Sequence, residues 1–187
     1  MAFIDPRPVH AAGLFIRLVY WFAKRRLGRV PTPLGIMAHN RAVLAASAAF
    51  ELGFERARHL DPKLKMLAEV KVATLVGCRF CIDIGSALAR ASGVSEAALL
   101  DLPVYETSER LSDLEKRALD YAVAMTATPL QVPRPLFEHL RTTLGVPAML
   151  ELTAAIAWEN YRARFNHAVG ATEEGYSDNV VCLLPAH

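Results

Sequence analysis

Helical periodicity, interrupted only by helix caps and turn residues, is the feature that most restricts the fold of this chain. Predicted helices run from Asn40 toward His59, from Asp61 to Gly77, from about Cys78 to Ser92, from Ser95 to Pro103, from Ser112 past Met125, from Pro135 to Leu144 and from Pro147 to Gly170. Ser112 and Glu115 form a capping-box pattern, and Gly93 is the expected end of the helix that contains two cysteines. No segment alternates apolar and polar residues between turn dipeptides, so we expect an all-α fold without strands.

The length of the chain fits a single domain. Its 187 residues can bury a full core, and we divide them into an N-terminal docking helix (1–32), a core (33–170) and a loosely ordered tail (171–187). The hydrophobic fraction of 53% is high for a small soluble monomer. It predicts that apolar surface is buried between the subunits of a homo-oligomer.

The charge and cysteine content argue against two classes of protein. A net charge of +2 gives no electrostatic reason to expect a nucleic-acid partner. The three cysteines, two of them in one motif, do not form the disulfide framework of a secreted domain. We therefore expect a cytoplasmic protein, and we interpret the third cysteine, Cys182, as an incidental free thiol in the tail.

An apolar run near the N-terminus has two interpretations. Residues 10–22 are strongly apolar, and a signal peptide would carry its positive charge before such a run. Here the charge follows the run, at Lys24, Arg25, Arg26 and Arg29. The run is too short to span a bilayer, which leaves a helix that docks on the core or on another subunit and an interfacial membrane helix with a basic end. We favour docking and expect no membrane partner.

Cys78 and Cys81 form a Cys-x-x-Cys motif at the predicted start of an apolar helix. Residues three positions apart lie on one helix face, so the two sulfurs are near enough to bridge. The N–H groups and the dipole at a helix N-terminus stabilise a thiolate, which favours Cys78 as the more acidic thiol. A thioredoxin-type motif would follow a β-strand, and none is predicted here. The motif indicates a dithiol redox site in a different, helical fold.

The sequence around the motif resembles the carboxymuconolactone decarboxylase/alkylhydroperoxidase (AhpD-like) superfamily. The resemblance is carried by residues 64–81 and 86–91, extends more weakly to 113–127 and 158–167, and covers roughly residues 33–170. It implies an all-α, oligomeric protein, a trimer or a hexamer. The peroxidase members use the cysteines as a redox pair, which implies that Cys81 is the attacking thiolate and Cys78 the resolving partner.

Two residues of that family's proton relay are absent from their usual positions. The family pattern has a histidine four residues after the second cysteine, where this chain has Gly85. It has a glutamate twelve residues before the first cysteine, where this chain has Met66. Other residues would therefore have to supply the relay.

Glu69 is the first candidate for a substitute. It lies three residues after Met66 on nearly the same helix face, and desolvation among apolar neighbours would make its carboxylate a more useful base. The alternative interpretation is a surface charge. Asp83 is expected to pair with Arg79 or to be a favourable charge in the first helical turn.

His167 is the second candidate. It ends a polar stretch of the last helix that would line the pocket and carry protons. The stretch would equally suit an exposed face with ion pairs such as Glu159–Arg162, or a contact between subunits. All three interpretations, a pocket lining, an exposed face and a subunit contact, stay open at the level of the sequence.

The leading functional hypothesis is a thiol-dependent oxidoreductase that reduces peroxides or partner disulfides by closing a Cys78–Cys81 bridge, which an external thiol reductant protein reopens. One alternative is a cofactor-free acid–base enzyme of the decarboxylase branch, with a histidine and a carboxylate converging on a pocket away from both thiols. The other is a non-catalytic helical oligomer. Structural zinc usually needs four ligands, and a second Cys/His pair at matching spacing is missing. We expect no cofactor and no metal.

Overall fold

The computed structural model describes residues 2–177, which contain helices and no strand. The predicted all-α fold is confirmed. The described residues divide into two compact units, one made of residues 2–57 together with 168–172, and one made of residues 58–167 together with 173–177.

The first unit holds a 3-10 turn (Val9–Ala11) and three α-helices, α1 (Leu14–Leu27), α2 (Thr32–Met37) and α3 (Arg41–Phe54). The predicted cap of α3 is present, because the Asn40 side chain accepts the N–H groups of the two residues that follow Arg41. The core of this unit contains Ile16, Tyr20, Ala38 and Leu44.

The opposite face of α1 is exposed and carries Leu14, Leu18, Trp21 and Phe22. None of the helices within residues 2–177 combines the length and the hydropathy that a bilayer crossing needs. Docking of α1 stays a prediction.

The second unit contains α4 (Pro62–Val76), α5 (Arg79–Ala91), α6 (Glu96–Leu100), a 3-10 helix (Leu102–Thr107), α7 (Asp113–Thr126), α8 (Arg134–Leu144) and most of α9 (Val146–Ala168). Buried apolar side chains of α4, α7, α8 and α9 form its core. Leu152, for example, is fully buried, which stabilises the fold by roughly 2 kcal/mol relative to an exposed leucine.

Helix starts in this unit follow the predicted caps. Asp61 accepts the N–H of Lys63 at the start of α4, and Ser112 with Glu115 forms a complete capping box at the start of α7. The prediction that Pro103 closes α6 is wrong: α6 ends at Leu100, and Pro103 occupies an early position of the 3-10 helix, where its missing N–H is tolerated.

The segment after α9 also differs from the prediction. Residues 173–177, which we call the C-terminal strap, were expected to belong to a loosely ordered tail. Instead, Ser177 is buried and the strap is hydrogen-bonded to Asp83 of α5. A buried carboxylate needs donors, and the backbone of the strap supplies them. Cys182 lies outside the described residues.

Candidate active site

The two cysteines occupy the start of α5. α4 ends at Gly77, whose positive φ of 77° turns the chain directly into the next helix. Cys78 is the N-cap of α5, and its sulfur accepts the backbone N–H of Cys81 at 3.2 Å. A disulfide joins the two residues, whose Cα atoms are 5.3 Å apart. The predicted proximity of the sulfurs is confirmed.

The two sulfurs differ in access. Cys78 is completely buried, whereas Cys81 keeps 5% of its surface exposed. A molecule that approaches from solvent can therefore touch Cys81, whereas Cys78 offers it no surface. This difference favours Cys81 as the attacking residue and Cys78 as its partner, in the order that the resemblance implies.

Asn166 contacts the disulfide from α9. Its side-chain Nδ2 donates to Cys81 Sγ at 3.3 Å, and the residue is 4% exposed. Each sulfur thus has its own N–H donor, a backbone group for Cys78 and an amide for Cys81. In the sequence Asn166 is visible only as one member of a polar stretch, since nothing in the spacing connects it to a cysteine 85 positions away.

Glu69 is buried and paired with a cation. Arg162 of α9 donates to Glu69 at 3.0 Å and, through Nε, to Glu159 at 2.7 Å. The interpretation of Glu69 as a surface charge is therefore wrong, while the Glu159–Arg162 ion pair is present. Arg162 and Asn166 are four residues apart and share one face of α9. Glu69 consequently binds one helical turn away from the contact with Cys81.

His167 lies at the turn before the first cysteine. Its Nδ1 is 3.2 Å from the carbonyl oxygen of Gly77, and its imidazole is exposed. The hydrogen bond fixes the ring beside the loop that leads into α5. The final turns of α9 thus bring Arg162, Asn166 and His167 to α4, α5 and the turn between them.

Both expectations for Asp83 are wrong, because it does not pair with Arg79 and it does not lie in the first turn of α5. It is fully buried and accepts the N–H groups of Glu174, Tyr176 and Ser177 and the Ser177 hydroxyl, at 2.8–3.1 Å. Burial alone would raise the pKa of Asp83, but the hydrogen bonds from the strap, led by Ser177, lower it below its ordinary value.

The strap also contacts the two residues between the cysteines. Arg79 donates to Glu173 at 2.7 Å, and the rings of Phe80 and Tyr176 meet edge to face with centroids 6.1 Å apart. The predicted partner of Arg79 is thus replaced by a residue of the strap.

Comparison with known proteins is consistent with this architecture. The model of the carboxymuconolactone decarboxylase family matches residues 41–124. The uncharacterised protein YnjA of Escherichia coli (strain K12) is 31% identical over 179 residues, which cover 95% of this chain and 96% of YnjA. The chain belongs to the carboxymuconolactone decarboxylase family.

Solved structures extend the agreement to the fold. The debrominase Bmp8 in its apo form is 20% identical, with 96% of both chains covered and a TM-score of 0.83. A peroxidase-related protein from Ralstonia eutropha JMP134, described as an alkylhydroperoxidase AhpD core, is 17% identical, with 94% of both chains covered and a TM-score of 0.81. The predicted AhpD-like fold is confirmed.

The structure shows what surrounds Gly85 and Met66, the two positions at which this chain lacks the relay residues of the family pattern. Gly85 is packed so closely against Val70 of α4 that a Cβ at this position would make a tight contact with Val70 Cγ2. Met66 lies half-buried on α4, one turn before Glu69. Contacts of α9 bring His167 to the turn before Cys78 and place the Arg162–Glu69 pair one helical turn from Asn166.

A groove of about 620 Å³ opens elsewhere in the second unit. It is lined by residues of the 3-10 helix, α7, the following loop and α8, among them Tyr105, Arg117, Asp120 and His139. Tyr105 donates its hydroxyl to Asp120 at 2.8 Å, and Arg117 pairs with Asp120 at 3.3 Å. Neither cysteine lines this groove.

Acidic, cysteine and histidine side chains do not gather into a metal-binding group of three or more anywhere in residues 2–177.

Proposed function

We propose that this protein is a thiol-dependent oxidoreductase of the AhpD-like type, which reduces peroxides or partner disulfides with Cys81 and Cys78. The observation that supports it best is the bridged cysteine pair at the start of α5, in which each sulfur accepts its own N–H donor. N–H donors of this kind stabilise thiolates, which are the reactive form of cysteine.

The proposed cycle with a hydroperoxide has three steps. The Cys81 thiolate attacks the O–O bond, an S–O bond forms, and the alkoxide leaves and takes up a proton to become an alcohol. The Cys78 thiolate then attacks the Cys81 sulfenic acid, an S–S bond forms, and hydroxide leaves as water after protonation. Finally, an external dithiol protein reduces the bridge by thiol–disulfide exchange and is itself oxidised.

Two protons must be delivered in this cycle, and we assign that task to His167. Its exposed imidazole is held at Gly77, immediately before Cys78, and an imidazole can both give and take a proton. Glu69 acts through Arg162 as a positioning residue, because the ion pair fixes the part of α9 from which Asn166 reaches Cys81.

We further propose that the protein works as a homo-oligomer, a trimer or a hexamer, in the cytoplasm, where reducing partners are available. The apolar side chains exposed on α1 are suited to such an assembly. Light scattering after size exclusion would test this proposal, and a monomer at all concentrations would contradict it.

A panel of oxidants with three cysteine variants tests the catalytic proposal. The oxidants are tert-butyl hydroperoxide, a small disulfide and 2,3,4-tribromopyrrole, since a variant of the debrominase with the same fold has been solved with the last of these. Cys81→Ser should lose turnover to the uncatalysed level. Cys78→Ser should stop after one turnover, with tert-butyl hydroperoxide at a Cys81 sulfenic acid that dimedone captures and with the small disulfide at a mixed disulfide on Cys81. Cys182→Ser is the matched control and should keep full activity.

Full turnover by Cys81→Ser would rule out the proposal. A reaction with only one of the oxidants would instead identify the substrate class.

A second candidate function is cofactor-free acid–base chemistry on a small lactone or carboxylate. The observation that favours it is the groove at Tyr105, in which a carboxylate, Asp120, and an imidazole, His139, line one cavity away from both thiols. If this chemistry occurs, His139→Gln should abolish it while Cys81→Ser leaves it intact. If Cys81→Ser abolishes this reaction and His139→Gln leaves it intact, the second candidate function is ruled out.

A further inference from the structure

Asn166 has an unusual environment for a buried amide. The side chain is 4% exposed, and its Nδ2 donates to Cys81 Sγ. Its Oδ1 is also buried, yet no group among residues 2–177 donates a hydrogen bond to it. Buried polar atoms are nearly always paired, so this oxygen is a hydrogen-bond acceptor that residues 2–177 leave unused.

The orientation of the amide follows from the chemistry of its partner. A disulfide sulfur can accept a hydrogen bond but has no proton to donate, so the amide must direct its nitrogen at Cys81. The oxygen shares a carbon atom with that nitrogen and therefore lies beside the same sulfur. It can only accept, and a group that comes to react at Cys81 is the available donor.

We infer that Asn166 is a catalytic residue that holds both reactants at Cys81, donating through Nδ2 to the thiolate and accepting through Oδ1 the O–H of a hydroperoxide. This inference rests on the proposed function and specifies its oxidant as a hydroperoxide, whose proton Oδ1 would bind. A side-chain amide is neither a useful acid nor a useful base. Asn166 would therefore orient the hydroperoxide and stabilise the thiolate, while another group protonates the leaving alkoxide.

The donor end has a second consequence, which does not depend on turnover. A hydrogen bond from Nδ2 is stronger to a thiolate than to a neutral sulfur. It therefore favours ionisation of Cys81 and favours the reduced pair over the disulfide. Because Asn166 reaches Cys81 from α9, its hydrogen bond needs no side chain at position 85, where Gly85 packs against Val70.

The decisive measurement is the pH dependence of Cys81 alkylation by iodoacetamide in a reduced Cys78→Ser background. Asn166→Asp keeps the shape of the side chain and replaces the donor with a carboxylate, so the pKa of the Cys81 thiol should rise by about 1–3. Asn166→Leu should raise it as well, through loss of the donor. The control is Asn160→Asp on the same helix, where the amide donates to Thr126 instead of to sulfur, and it should leave the Cys81 profile unchanged.

The acceptor end is tested in single turnovers of the same variants. Asn166→Leu should slow sulfenic acid formation from tert-butyl hydroperoxide by about a hundredfold. The loss should be clearly smaller with an aromatic disulfide, which has no proton for Oδ1. Equal losses with both oxidants would overturn the acceptor role.

Should both Asn166 variants fail to fold, the parent protein still provides a test. The side-chain amide resonances of Asn166 should shift as Cys81 titrates, and unchanged resonances would overturn the inference. An alkylation profile that is the same with and without Asn166 would also overturn it. If the parent reacts with no oxidant, the proposed function fails, whereas the alkylation result still decides whether Asn166 stabilises the thiolate.

Discussion

Gly85 of α5 lies so close to Val70 of α4 that a Cβ at position 85 would come within 3.3 Å of Val70 Cγ2. This distance is shorter than ordinary carbon contacts, so Val70 would have to move by a few tenths of an ångström to admit a side chain at position 85. A histidine is much larger than a methyl group, and we expect it to require repacking of the α4–α5 contact.

Replacing Gly85 with histidine should lower the free energy of unfolding by about 1–3 kcal/mol, the usual cost of overpacking. Gly85→Ala should be nearly neutral, since the better helix propensity of alanine, about 1 kcal/mol, offsets the tight contact. Urea unfolding measures both. Val70→Ala combined with Gly85→His should recover part of the loss, and an absence of any recovery would show that Val70 is not the obstacle.

Asp83→Asn should destabilise the protein by about 2–3 kcal/mol at neutral pH, because an amide can offer only one acceptor oxygen to the donors of the C-terminal strap. Urea unfolding of both proteins gives the difference. The control is Asp113→Asn, an exposed aspartate in the first turn of α7, for which we expect less than about 1 kcal/mol.

The contribution of Asp83 should depend on pH with a defined sign. Its pKa is lowered in the folded protein, so the ionised carboxylate stabilises the fold above the ordinary aspartate pKa, about 3.9. That stability is lost as the pH falls through the lower folded value. The difference between the parent and Asp83→Asn should therefore shrink below about pH 4. A difference that stayed constant down to the acid transition would contradict this assignment.

Arg162→Leu takes a shared cation away from Glu69 and Glu159, which are 8% and 4% exposed. We expect a loss of about 3 kcal/mol in urea unfolding. The comparison is Arg164→Leu, an exposed arginine of the same helix, which should cost less than about 1 kcal/mol.

His167→Gln should reduce peroxide turnover by about a hundredfold, because glutamine cannot pass on a proton as an imidazole can. Glutamine can still donate to the Gly77 carbonyl, so the fold should persist. Steady-state rates with tert-butyl hydroperoxide are the measurement. His139→Gln changes an exposed histidine of α8 and serves as the control. Equal rates for the parent and His167→Gln would remove His167 from the proposed proton transfer.

The sequence predicts local structure well because the determinants are local. Asn40, Asp61 and Ser112 each accept an N–H within three residues, and each begins a helix where the pattern indicates. The Cys-x-x-Cys pair belongs to the same category. Its geometry depends on a single helical turn, so the closeness of the sulfurs follows from spacing alone.

Contacts between distant residues could not be predicted in the same way. Asp83 finds its partners 91–94 positions later, and Glu151 accepts the N–H groups of His59 and Leu60, 92 and 91 positions earlier. In the sequence, each is an isolated acid on an apolar helix, and such a residue fits a surface charge as well as a buried acceptor. Asn166 was missed for the same reason.

The strap makes the short stretch between Cys78 and Cys81 serve two purposes. The residues between two redox cysteines affect the reactivity of the pair through the charges that they place beside the thiols. Here Arg79 and Phe80 also anchor Glu173 and Tyr176. Substitutions at Arg79 and Phe80 would change the attachment of the strap and the reduction potential of the disulfide at the same time. Evolution therefore cannot adjust one of these properties independently of the other.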